Sequence, residues 1–366
     1  MPKWLESLLG FIYARIPLAI RPAAKSAFIN SLLVSQAIGR RRRLLKAERI
    51  AFVDQEVADV EPYRFLGPGR GEVTIGVEAS TISPGTETAV LCGLPGARRM
   101  FPYFPGYSSA GTVRYVGRGK GPFEPGDRVA GRVPHAELAT VPSSNLFSVP
   151  DSVDLQSASF IELGIIVLQG IRKARIRPGD TVAVLGQGLI GQLSNRVVRA
   201  MGAGKVIALA TSRRRADTAI AAGGAHEFRV IKGEASARGV GADVVIEAVG
   251  VPQATQTALH CVAPGGRVVL LGSARGLSRD FDVKGLIRDP QVEVIGAHIG
   301  AMPARDGSPG RWTYRQEGQL FLKLLESGRL SVRELITWRP EPREVNAVYE
   351  RLANGGGSEV AIVINW

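Results

Sequence analysis

The chain has 366 residues, 45% of them hydrophobic and 22% charged, which excludes a disordered protein and leaves room for two domains of ordinary size. The formal net charge of +13 is concentrated at the start, where Lys3, Arg15, Arg21, Lys25, Arg40 to Arg43 and Lys46 stand against Glu6 alone. No zinc finger, aromatic RNA-binding signature or helix-turn-helix pattern accompanies this excess, so nucleic acid is not expected as a partner. Cys92 and Cys261 give neither a disulfide framework nor a structural zinc lobe, in keeping with a cytoplasmic protein.

Residues 1–46 form a basic extension. Apolar patches run from Leu5 to Leu18 and from Ala23 to Ile38, but Glu6, Arg15, Pro17, Arg21 and Lys25 break any span of roughly 20 residues. A signal peptide is not expected, because a basic start with an unbroken apolar core is missing. The pattern fits two short amphipathic helices meeting between Pro17 and Pro22. Two placements are open: against the body or a neighbouring subunit, or on a membrane surface where apolar faces and flanking arginines both contribute.

From Arg49 the pattern turns β-like. Short alternating runs, Glu72 to Glu78, Gly111 to Val116, Arg128 to Gly131 and Ala136 to Val141, are separated by Gly and Pro turns, which implies a small barrel. Asp151 to Asp154 then offers capping residues for an apolar helix from Leu155 to Ala174.

The next stretch carries the most information. An apolar run, Val182 to Leu185, stops at Gly186-Gln187-Gly188-Leu189-Ile190-Gly191 and is followed by a helical segment and a second apolar run, Val206 to Ala210. Strand, glycine turn, helix and strand at this spacing make a βαβ dinucleotide site. Gly186 permits the turn, Gly188 lets a diphosphate approach, and Gly191 brings helix and sheet close. An NAD site places an acid at the tip of the second strand. This chain has Thr211-Ser212-Arg213-Arg214-Arg215 and no acid from Lys205 to Ala216, which suits the 2′-phosphate of NADP. A solvated basic helix start is the alternative, although acids are the usual residues there.

Strands and helices continue to alternate: Asp243 to Ala248 ending at Val249-Gly250, a helix from Gln253 to Val262, Arg267 to Leu271 ending at Gly272-Ser273, and Gln291 to Ala297. The fold class is therefore α/β, with a doubly wound parallel sheet whose ligand crevice lies at the strand C-terminal ends. A helix is expected from Trp312 to Ser327. A β-like tail, Glu359 to Trp366, is expected to return to the first domain.

This order of elements, with Asp243-Val244-Val245-Ile246-Glu247-Ala248-Val249-Gly250 and Ala263-Pro264-Gly265-Gly266-Arg267-Val268-Val269, resembles the medium-chain dehydrogenase/reductase superfamily over about residues 47–366. The resemblance implies a GroES-like β-barrel domain over 47–160 and 299–366, a Rossmann NADP-binding domain over 161–298, a nicotinamide cofactor in the cleft, and a homo-oligomer, dimer or tetramer. It implies cofactor contacts at Gly186, Gly188, Leu189, Ile190, Gly191, Thr211, Ser212, Arg213, Val249, Gly250, Gly272 and Ser273.

The zinc-dependent members carry a Cys-Gly-Thr-Asp-type segment where this chain has Pro84-Gly85-Thr86-Glu87, and Gly-His-Glu where it has Gly106-Tyr107-Ser108. Their third ligand region resembles Ile161-Glu162-Leu163. One oxygen ligand cannot hold a catalytic zinc, so no metal is expected. Charge growing on a substrate oxygen would then fall to hydroxyl donors, Tyr107, Thr86 and Ser108, with Thr86 matching the family's proton-relay position. Glu162 would pass a proton or orient a water. Each also has a structural reading: Tyr107 as packing, Thr86 as a turn hydroxyl, Glu162 as an ion-pair partner. His135, His226, His260 and His298 match no ligand spacing, and His298 alone follows a sheet strand.

Ser83-Pro84-Gly85-Thr86-Glu87 also resembles a zinc-poor branch that includes bacteriochlorophyllide dehydrogenase-like proteins, which implies a bulky biosynthetic substrate. The expected activity is zinc-independent, NADP(H)-dependent hydride transfer to or from a carbonyl/alcohol or an activated C=C or C=N bond of a small-molecule substrate. The alternative is a non-catalytic protein that senses NADP(H) and engages a partner.

Overall fold

Alternating apolar and polar residues open the described chain as an antiparallel hairpin, β1 (Leu44–Asp54) and β2 (Val57–Leu66). The structure is a computed structural model that describes residues 42–366 apart from 98–99, 222, 274, 279–280, 304–306 and 308–310, so the expected amphipathic helices lie outside the described residues. The β pattern begins at Leu44, five residues before Arg49 and inside the stretch assigned to the extension. The last arginines of the basic run belong to the body: Arg42 pairs with Glu72 at 2.7 Å, and the Arg43 guanidinium lies 5.4 Å from the Tyr115 ring centre.

The next elements are β3 (Glu72–Thr81), α1 (Pro84–Leu91), β4 (Ser109–Val116), β5 (Arg128–Gly131), β6 (Leu138–Pro142) and β7 (Leu146–Ser148). The single helix expected from Leu155 to Ala174 is two: α2 (Leu155–Ala158) and α3 (Ile161–Ala174). Asp154 caps α2 as expected, accepting from the Ser157 N–H at 2.8 Å. The break at Ser159-Phe160 has a hydrogen-bond cause. Ser108 Oγ donates to the Ser159 carbonyl at 2.6 Å and accepts from the Glu162 N–H at 3.1 Å, so a side chain from another segment starts the second helix.

The nucleotide half follows: β8 (Thr181–Leu185), α4 (Leu189–Ala200), β9 (Lys205–Ala210), α5 (Ala216–Ile220), β10 (Glu227–Val230), α6 (Glu234–Arg238), β11 (Ala242–Glu247), α7 (Pro252–Cys261), β12 (Val262–Leu270) and β13 (Glu293–Gly296). The chain ends with α8 (Tyr314–Glu326), β14 (Ile336–Trp338), α9 (Val345–Ala353) and β15 (Ala361–Asn365). The helices α1, α5 and α6 and the strands β10 and β14 carry too short or too weak a period to be read from the residues, whereas α9 is amphipathic and its period was readable.

The six parallel strands run β10-β9-β8-β11-β12-β13. The order therefore reverses beside β8, whose end carries the glycine turn, and such a reversal is where open α/β sheets bind their ligands. The seven-stranded sheet runs β14-β15-β3-β4-β5-β7, with β6 also on β3. One edge of β3 is shared: β6 pairs with Glu72 to Gly76 and β15 with Ala79 to Thr81, which curls the sheet around β3 in the GroES-like manner. The C-terminal tail thus returns to the first sheet.

The two halves share one core. Helix α3 packs Leu163, Val167 and Leu168 with Val182 and Val184 of the parallel sheet and with Phe321 and Leu324 of α8. Contact with α8 requires Gly164, where a Cβ would stand 2.2 Å from the Phe321 ring. Gly164→Ala should therefore destabilise the fold by about 1–3 kcal/mol through overpacking. Urea unfolding checks this, and an unchanged midpoint would contradict the packing described.

Candidate functional site

The glycine turn is shaped by close approaches. Gly186 has φ of 96°, and a Cβ on Gly191 would lie 1.7 Å from the Gly186 carbonyl oxygen, so α4 can rest on the end of β8 only with glycine there. Gly188 differs: its Cβ position meets only Arg215 Nη1, at 3.9 Å. Gly188 is also the N-cap of α4 with no side-chain cap, so the positive end of the helix faces that open space. Leu189 is buried and Ile190 half-buried in the first turn.

The other strand ends converge here. Glu247 at the end of β11 accepts from the N–H groups of Val249 (2.6 Å) and Gly250 (2.8 Å), and burial raises its pKa. Gly250 has φ of 81° and packs directly on the Gly272-Ser273 turn after β12. Thr211, Ser212 and Arg213 stand exposed at the end of β9. Arg213 lies 5.8 Å from the Phe228 ring centre, Arg214 donates to the Gly356 carbonyl at 3.3 Å, and Arg215 donates to the Gly357 carbonyl at 3.4 Å. None of the three is in an ion pair among the described residues. Arg215 Nε is buried without a partner, and burial, with repulsion from Arg214, pulls its pKa down. A cation beside an open glycine turn, with a buried donor unused, fits the diphosphate and phosphate groups of a dinucleotide.

A second polar cluster lies on the side of the curled sheet. The Tyr107 hydroxyl donates to Ser83 Oγ at 2.8 Å, and burial pushes its pKa up to about 12. Thr86 is exposed in the first turn of α1 and its hydroxyl also bears on the Tyr107 phenol. Arg275, in the loop after β12, donates to the Gly85 carbonyl through both Nη atoms at 3.1 Å, tying the Thr86 segment to the nucleotide half. Ser108 is committed to the break before α3, so its hydroxyl serves the backbone and is not a donor to substrate.

Glu162 is buried, and burial raises its pKa. Both oxygens are engaged: Oε1 accepts from the Tyr314 hydroxyl, and Oε2 from Arg132 Nη2 at 2.8 Å and Nε at 3.2 Å. This is the ion-pair reading of Glu162. Sequence reasoning missed Arg132 and Tyr314. Tyr314 opens α8 next to a capping box at Thr313 and Gln316, a readable signal for the helix but not for the side chain's partner. His135, which matches no ligand spacing in the sequence, is a carboxylate partner here. It is fully buried, with Nε2 3.2 Å from Glu87 Oε2, and the same carboxylate accepts from Tyr349 and from the Ser83 N–H at 2.8 Å. His298 accepts from the Gly300 N–H at 3.1 Å, a local loop bond.

The Tyr107 shift has a pH consequence. A folded pKa above the free value of 10.0 favours the neutral phenol, so that stabilisation is complete below pH 10 and is lost as pH rises towards 12. Alkaline titration at the phenolate absorbance should show Tyr107→Phe removing a group that ionises only near pH 12. Loss of a phenol titrating near 10 would contradict the burial.

Residues 190–310 match the sequence family described as zinc-binding dehydrogenase. D-xylulose reductase A of Aspergillus niger is 26% identical over 238 residues, 62% of each chain. The chain thus matches about 62% of the length of that curated relative. Among solved structures, galactitol-1-phosphate dehydrogenase from Escherichia coli aligns with a TM-score of 0.74 at 20% identity, covering 87% of this chain and 100% of that one. An Escherichia coli short chain alcohol dehydrogenase complexed with NADH aligns with a TM-score of 0.75 at 19% identity, covering 88% and 99%. At those identities the structures speak for the fold. The family match itself lies in the nucleotide half, and the fold of the whole described chain is that of these dehydrogenases.

Proposed function

We propose that the protein is a zinc-independent, NADP(H)-dependent oxidoreductase. It would act on a carbonyl/alcohol or an activated C=C or C=N bond of a fairly bulky small molecule. The nucleotide domain is taken as residues 161–298 and the catalytic domain as 47–160 with 299–366. The observation that carries the reading is the arginine series at the end of β9. Arg213, Arg214 and Arg215 have no ion-pair partner among the described residues, and Arg215 holds a buried, unused N–H beside Gly188.

When bound, a nicotinamide nucleotide supplies or accepts hydride. Gly186, Gly188, Leu189, Ile190 and Gly191 would receive its diphosphate, Thr211, Ser212 and Arg213 its 2′-phosphate, and Val249, Gly250, Gly272 and Ser273 would line the crevice. Tyr107 stays protonated at neutral pH, and its single O–H, which rests on Ser83 Oγ, would turn to an oxygen that gains negative charge. Thr86, between Tyr107 and solvent, is the outlet for the proton.

Catalytic zinc does not suit the donor set. Three protein ligands, with nitrogen or sulfur among them, are the rule. Here Glu162 already holds Arg132 and Tyr314, and no group of three His, Cys, Asp or Glu side chains among the described residues is arranged for a metal. We read the protein as cytoplasmic and homo-oligomeric, dimer or tetramer, with residues 1–46 meeting a subunit or a membrane surface. No helix among the described residues is long and apolar enough to cross a membrane.

Arg213→Ala tests the cofactor assignment. NADPH should bind at least about tenfold more weakly while NADH is little changed, as follows from loss of a charge-assisted phosphate contact. Fluorescence titration with both nucleotides reads the ratio, and an unchanged ratio would refute the phosphate role. Activity should also survive exhaustive treatment with a zinc chelator. NADPH binding without turnover across carbonyl, enone and imine panels would favour the sensing alternative.

A further inference from the structure

The arginine on Glu162 has a second use that the hydride-transfer reading leaves unassigned. A guanidinium offers two forks: a side-on edge formed by Nε and Nη2, and an end-on edge formed by Nη1 and Nη2. Glu162 Oε2 takes the side-on edge of Arg132, at 3.2 Å from Nε and 2.8 Å from Nη2. Nη1 has no hydrogen-bond partner among the described residues. The exposures show which way the pair faces: the Arg132 side chain is 51% exposed and the Glu162 side chain 1%. The carboxylate is therefore sunk in the protein, while about half of the arginine side chain reaches solvent.

Its setting is fixed. Arg132 follows β5 directly, its N–H donates to the Asn145 carbonyl at 3.2 Å, and its guanidinium lies 5.4 Å from the Tyr314 ring centre. Tyr314 and Glu162 hold each other, so the arginine is braced by a carboxylate on one edge and an aromatic ring alongside. It is also within electrostatic reach of Tyr107, the donor at the reacting centre proposed above. An arginine serving only to neutralise Glu162 could be buried with it. This one is half exposed, and its end-on edge has no protein acceptor at Nη1 among the described residues.

We infer that the end-on edge of Arg132 is a carboxylate-binding site in the substrate cleft, and that the substrate carries a carboxylate near the carbon that exchanges hydride. The planar fork matches the two oxygens of a carboxylate, a match that a lysine ammonium cannot reproduce. Because Arg132 already carries a buried counter-charge, its geometry is set before substrate arrives, and little side-chain freedom is lost on binding. The inference rests on the oxidoreductase reading for the identity of the cleft, but the anion site can be measured without turnover.

The test titrates the full chain, saturated with NADPH, with benzoate and with benzamide, which has a similar shape and no charge, by isothermal calorimetry. Benzoate should bind at least about tenfold more tightly than benzamide, as expected for a charge-assisted bidentate pair. Arg132→Met should bring the two to parity, and Arg132→Lys should recover only part of the preference, while NADPH affinity stays the same in both. Because Arg132→Met strands a buried carboxylate, Arg132→Met combined with Glu162→Gln repeats the measurement with both charges removed and should also show parity. A wild-type protein with no preference for benzoate, or a preference that survives both methionine variants, overturns the inference. If the wild type fails to bind NADPH, the oxidoreductase reading falls, and the same benzoate comparison on the protein alone still decides the anion site.

Discussion

Everything at the nucleotide crevice depends on one close approach, that of Gly191 to the carbonyl of Gly186. With no room for a Cβ between them, α4 rests directly on the end of β8. Its uncapped first turn is thereby aimed into the space above Gly188. The strand order places this turn where the sheet reverses direction, so the ends of β9, β11 and β12 gather around the same opening. What fills the opening is then a matter of charge. The chain supplies arginines there, and Arg215, with Glu359 in electrostatic reach but no ion pair among the described residues, keeps a buried Nε–H unused that an anion from outside would satisfy.

The second constraint is the buried carboxylate of Glu162. An isolated ionised carboxylate is costly in the interior, and burial raises its pKa accordingly. Two neighbours oppose that rise: the Tyr314 hydroxyl and the Arg132 guanidinium. On this single acid the chain sets a fixed organic cation. A guanidinium stays protonated and donates in fixed directions, whereas a metal ion polarises an oxygen by direct coordination. Tyr107 is left as the nearby neutral donor, and the Glu87 carboxylate helps hold it in place by accepting from the Ser83 backbone that presents the hydroxyl partner of Tyr107.

Much of the fold was legible in the residues because buried parallel strands and glycine turns are local signals. The runs at β8, β9 and β11 are continuous and apolar, and Gly186 and Gly191 mark the turn between strand and helix. The break in the helix after Ala158 was not legible, since its cause, Ser108, lies 51 residues from Ser159 in the chain. The hairpin start was obscured by the arginines before it, and the short helices α5 and α6 span too few residues to show a period. At the candidate site the same division holds. Glycines and strand-end arginines announce themselves by position, whereas Arg132, Tyr314 and His135 acquire meaning only from partners far away in sequence. The Glu162–Tyr314 contact spans 152 residues and the Glu87–Tyr349 contact 262.

The central claim is that the space above Gly188, together with the end of β9, is built for a dinucleotide carrying a 2′-phosphate. The most direct measurement is the ratio of NADPH to NADH affinity in the unmodified protein at a fixed, moderate salt concentration. A preference for NADPH of tenfold or more, diminishing as salt is raised, is the predicted result. Equal affinities, a preference for NADH, or retention of neither nucleotide would contradict it.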